Sequence, residues 1–123
     1  MTGRPTSARP LHVALLLLLV GIGLVAAQKS PAAPTCTISW DGGGALGVWQ
    51  DASNWSPDRL PAASDHVCIP ASTETVVHST GTTSILTLQA QAPLRLTGGE
   101  LSLTSTSDES TVADMREENG TLS

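Results

Sequence analysis

Four side chains in one short stretch have the types and spacing to engage a sugar: Trp49, Asp51, Asn54 and Trp55. Indole faces stack on the apolar faces of sugar rings, and a carboxylate and an amide can take the hydroxyls. A packing role competes with that reading. Trp40 lies nearby, and the 123-residue chain has three Trp but no Phe or Tyr. All aromatic bulk is therefore concentrated between Trp40 and Trp55, where it can fill a core that Leu, Val, Ile and Ala fill elsewhere. Packing is the leading expectation and the sugar platform the alternative.

Other reactive side chains are sparse. Asp41, Asp51, Asp58 and Asp65 fall at irregular spacing in loop-forming sequence. A glycosidase needs two carboxyl groups held across a bond at a fixed separation, and loop carboxylates more often serve turns. Asp41-Gly42-Gly43-Gly44 lacks the alternating Asp/Asn pattern of a calcium loop. His66 and His78 have no nucleophile motif beside them, and no glycine-rich phosphate loop follows a strand. The expectation is no catalytic residue, no metal and no cofactor. Asn54-Trp55-Ser56 and Asn119-Gly120-Thr121 match the glycosylation sequon, which matters only in a host that glycosylates.

Cys36 and Cys68 bracket all three Trp residues. An exported pair is expected to form a disulfide. A metal site using Cys36, Cys68, His66 and His78 is an alternative without close ligand spacing, and two free thiols are another. Export itself is read from residues 1–27. Arg4 and Arg9 precede an apolar run from Leu11 to Ala27, and Val25-Ala26-Ala27 offers small residues for cleavage before Gln28. A retained anchor is the rival, although that run spans only about 26 Å as a helix. The remaining chain carries four basic residues (Lys29, Arg59, Arg95, Arg116) and all eleven acidic ones. Such acidity argues against nucleic acid and anionic lipid as partners.

The elements that must position these side chains are short. Residues 28–35, with Pro31 and Pro34, read as a disordered leader. Thr35 to Trp40 alternates as a strand, Asp51 to Trp55 reads as a tight turn, and Ser56 to Ala63 is a proline-punctuated loop. His66 to Ile69 is a second strand ended by Pro70. Val76-Val77, Leu86-Thr87-Leu88, Leu94-Arg95-Leu96 and Leu101-Ser102-Leu103 follow as brief apolar stretches between turn residues. They are too short for an ordinary sandwich and suit a parallel β-helix. Leu122 lies twenty-one residues after Leu101, about one coil later. Ser105 to Glu118 is polar and reads as a solvated loop leaving the coil.

The stretch from Ile38 to Leu103 resembles the amino-terminal start of bacterial secreted β-helix proteins of autotransporter-like or adhesin-like type. The residues that carry the likeness are Trp40, the glycine turn, Trp49, Asn54-Trp55-Ser56, Pro61, Asp65-His66-Val67-Cys68-Ile69-Pro70 and the Leu-x-Leu series from Leu86 to Leu103. Cys36 and Cys68 depart from the general pattern. The resemblance implies an all-β chain: a Trp-rich cap at 36–70, which the disulfide expected from the exported cysteine pair would clamp, then the first coils of a right-handed parallel β-helix at 71–123. It implies surface or extracellular display, with glycans or another cell surface as partner. The solenoid is expected to be incomplete, the start of a longer architecture. A polysaccharide-acting β-helix enzyme or a small carbohydrate-binding module is the alternative. For an enzyme the coil offers only Arg95 and Glu100.

Overall fold

The computed structural model describes residues 33–123, and the expected export segment lies outside them. Of the expected leader, only residues 33–35 are described, and they adopt no regular structure. The described chain is almost all strand. Its elements are β1 (Ile38–Trp40), a 3-10 turn at Ala52–Asn54, β2 (Trp55–Ser56), β3 (His66–Ile69), β4 (Val76–His78), β5 (Thr82–Ile85), β6 (Thr87–Ala90), β7 (Leu94–Leu96), β8 (Glu100–Leu103), β9 (Thr111–Val112), β10 (Met115–Glu117) and β11 (Thr121–Leu122).

The strands form three sheets. One has the order β2-β1-β3-β6-β9, a second β10-β7-β4 and a third β11-β8-β5. From β3 onward, successive strands visit the three sheets in strict rotation, three times over. Every pairing is parallel except β1 with β2. No strand exceeds four residues, so none could bury enough surface on its own. Stability comes from stacking equivalent positions.

The register shows how. Ile38, Val67 and Leu88 align on the first sheet, as do Ile69, Ala90 and Val112. Val76, Leu94 and Met115 align on the second sheet, and Thr83, Leu101 and Leu122 on the third. Alternation in each strand sends these side chains inward, where all but Thr83, Val112, Met115 and Leu122 are buried. Fully burying each large aliphatic side chain contributes roughly 1.5–3 kcal/mol. The recurrence of Leu101 at Leu122 is thus a parallel pairing.

Two sequence expectations need correction, and one strand carries no periodic signal at all. The polar segment Ser105–Glu118 contains β9 and β10, because Val112 and Met115 each supply one inward apolar residue against the core. The strand expected at Leu86–Leu88 runs instead from Thr87 to Ala90; Ile85 is buried and Leu86 only half-buried. β5 went unforeseen, since Ile85 is the lone apolar side chain in Thr82–Ile85.

The Trp-bearing segment lies along the start of the first two sheets. β1 pairs with β3, and Val48 bridges in parallel to Val77 of β4. Trp49 N–H donates to the Val77 carbonyl at 3.0 Å, while Val77 N–H donates to the Gly47 carbonyl at 2.7 Å. The Cys36–Cys68 disulfide joins the residue two before β1 to the middle of β3, with Cα atoms 5.7 Å apart.

Candidate functional site

Asp41-Gly42-Gly43-Gly44 reverses the chain after β1, and the 3-10 turn returns it to β2 so that Trp40 and Trp55 stand in register. Trp55 packs edge-to-face on Trp40, with ring centroids 5.0 Å apart and planes at 90°. It meets Trp49 in the same manner at 4.8 Å and 71°. Such pairs add about 0.5–1.5 kcal/mol each beyond the area they bury.

The four residues that could form a sugar platform are therefore brought together, but their recognition surfaces are used internally. Trp49 and Trp55 are 1% and 0% exposed. Trp55 Nε1–H donates to the Trp49 carbonyl at 2.9 Å. Asn54 is fully buried; its Oδ1 accepts from Gly44 N–H at 2.8 Å, and its Nδ2 donates to the carbonyls of Ala45 and Val48. Asp51 caps the 3-10 turn, accepting from Ser53 N–H at 3.0 Å with one oxygen and from Ala45 N–H at 2.8 Å with the other. These bonds, first from Ala45 and then from Ser53, hold the Asp51 carboxyl below its ordinary range. Neither indole presents a free face for a ring to stack on.

The other nominated carboxylates also serve local structure. Asp41 accepts from Gly43 N–H at 3.1 Å. Asp58 is exposed. Asp65 is buried and takes a two-nitrogen grip from Arg59, at 2.6 and 2.9 Å. Ala62 N–H and the Thr37 hydroxyl donate to the same carboxylate. The Arg59 guanidinium, helped by those donors and opposed by burial, holds Asp65 well below the usual carboxylate range. This cluster ties the proline loop to β3 and to the chain entering β1.

The disulfide takes both thiols out of the metal-site alternative. His66 Nδ1 lies 2.9 Å from the Thr87 hydroxyl. His78 is buried against Trp49, with ring centroids 5.6 Å apart. Its Nδ1 lies 3.1 Å from the Gly98 carbonyl, which can only accept, so that nitrogen carries a hydrogen; Nε2 lies 3.0 Å from the Thr83 hydroxyl. Among the described residues no group of three or more His, Cys, Asp or Glu is placed to hold a metal ion. Arg95 and Glu100 lie on different sheets and have separate partners. Arg95 bonds Glu118 at 2.5 Å, and the Ser123 hydroxyl donates to Glu100 at 2.7 Å.

One residue central to this site is invisible in the sequence. Glu74 accepts from Gly47 N–H at 2.5 Å and from Trp40 Nε1–H at 3.4 Å, pinning the glycine loop from a distant part of the chain. Only the folded topology brings Glu74 there. No family model matches the chain, and neither a curated protein nor a solved structure is significantly similar to it.

Proposed function

We propose that the chain is an exported structural or adhesive protein, without catalysis in this segment. In this reading, residues 36–70 close one end of a right-handed parallel β-helix, and the strands from β4 onward form its first turns. The observation that carries it is the difference between the two ends. At one, β2 is two residues long, runs antiparallel, and leads into Pro57, which has no N–H to donate. A short terminal strand followed by proline blunts an edge that would otherwise pair with another chain. The Trp side chains add the bulk a solenoid cap requires. At the other end, Val112, Met115 and Leu122 are only half-buried, although they continue ladders that are fully buried one rung earlier.

The rotation of parallel-paired strands from β3 onward through three sheets supports the solenoid, and right-handed crossovers are the strong rule for parallel connections. A further coil stacked on Val112, Met115 and Leu122 would give them the burial that their counterparts one rung earlier have. Glycans or another cell surface are the partners such a display protein would meet, and the acidic balance makes nucleic acid a poor one. The coding frame past Ser123 tests the proposal, together with protease shaving of intact cells. Further Leu-x-Leu coils and surface release are expected. An immediate stop, with a monomer that unfolds sharply and reversibly, overturns it.

A further inference from the structure

The chain has two asparagines, and the fold treats them oppositely. Asn54 is buried, fully bonded and followed by Trp55. Asn119 is exposed, has no side-chain hydrogen bond among the described residues, and is followed by Gly120, which carries no side chain to hinder its nitrogen once that nitrogen is released from its backbone bond. We propose that Asn119-Gly120 is a self-modifying junction whose reaction is gated by pairing of the last rung. The inference stands independently of the function proposed above.

The Gly120 nitrogen attacks Asn119 Cγ. A Cγ–N bond forms, the Cγ–Nδ2 bond breaks, and Nδ2 leaves as ammonia with the proton lost from Gly120. Water then opens the cyclic imide at either carbonyl, giving aspartate or isoaspartate. No oxidant, enzyme or cofactor is consumed. In the folded rung the attacking group is occupied. Gly120 N–H and Glu118 N–H both donate to the Leu96 carbonyl, at 3.1 and 2.9 Å, so Asn119 is held in a loop over that oxygen. The nitrogen cannot leave this bond for Cγ until the rung opens. Opening is local, because β11 is two residues long and its inward Leu122 is only half-buried. Isoaspartate adds a methylene to the main chain exactly where β10 passes to β11. That lengthening disturbs the register of Thr121 with Glu100 and of Leu122 with Leu101.

The experiment ages the full chain in warm, mildly alkaline buffer, natively and in urea, and follows each asparagine by peptide mass spectrometry with isoaspartate detection. Asn119 is expected to convert to both products, at least about tenfold faster in urea, as gating by local opening requires. Asn54 should persist in the native sample, and Asn119→Gln should abolish conversion at its site. In the aged protein, exchange of the Thr121 and Ser123 amides should accelerate. Freshly made Asn119→Asp, which gains the charge but no methylene, should retain its protection. An intact Asn119 after ageing in urea overturns the proposal. So do equal rates with and without urea, or unchanged β11 exchange once isoaspartate has formed.

Discussion

At Asn54 a single amide closes three backbone positions of a glycine-rich loop, and no water reaches it. Replacing it with Ala leaves one N–H and two carbonyls without that partner beneath the Trp cluster. Asn54→Ala should cost about 3 kcal/mol, read as a lower denaturation midpoint at unchanged m. Wild-type Trp emission should be blue-shifted, quencher-protected and unmoved by a glycan panel. Asp65 makes a prediction in pH. Its folded pKa lies below the unfolded value of about 3.9, so on acidification the unfolded chain binds the proton first. Its contribution is full above the unfolded pKa and is lost as pH falls toward the folded one. Asp65→Asn should flatten the decline in stability below about pH 5 without abolishing it, because Asp51 is shifted in the same direction. Acid titration of the melting temperature measures both. Asp51 and Asn54 were legible as turn formers because their side chains bond locally. Glu74 was not, because the loop it pins is 27 residues away.

At the scale of elements, what could be read depended on how many inward apolar residues each strand carries. Leu94-Arg95-Leu96 and Leu101-Ser102-Leu103 show their period twice over. Thr82–Ile85, Thr111–Val112 and Met115–Glu117 each offer one, and a single residue has no period. Those strands are specified by the rung they stack on. The connections must also let rungs approach closely. A side chain at Gly98 would strike the Ser79 carbonyl, and one at Gly99, where φ is +72°, would strike the Gly81 carbonyl. Gly81 has a similar φ of +75° but open space around it. Gly99→Ala should therefore cost more than about 3 kcal/mol, whereas Gly81→Ala should cost about 1 kcal/mol from backbone strain alone. The disulfide acts on the segment before the rungs. It closes a sequence separation of 32, so converting Cys36 and Cys68 together to Ser should remove about 3–4 kcal/mol and loosen the Trp cluster first. Thermal unfolding followed by Trp fluorescence and by far-UV circular dichroism tests this: the two signals should separate in the double variant.

Across the whole described unit, the apolar positions of the last rung are less covered than the apolar positions they stack on. Val67 and Leu88, Val76 and Leu94, and Leu101 are buried, whereas Val112, Met115 and Leu122 stand half-open above them. Each rung contacts chiefly its neighbours, so opening free energy should follow rung order rather than sheet membership. β3 and β6, held from both sides, should open only with the unit as a whole; β9, β10 and β11 should open earlier and together, although they lie in three different sheets. Native-state hydrogen exchange resolves this directly. Protection of the Gln91 and Thr97 amides, which donate inward to the Ile69 and His78 carbonyls, should exceed that of Ala113, Glu118 and Ser123 by at least about a hundredfold, the ratio expected if the last rung opens some 3 kcal/mol below the rest. Protection that tracked sheets instead, with β3, β6 and β9 alike, would mean that each sheet is its own cooperative unit. Covering the open rung with one further coil should raise the slow exchange of β9 to β11 toward that of β6, because the newly added strands would supply the burial that Val112, Met115 and Leu122 lack.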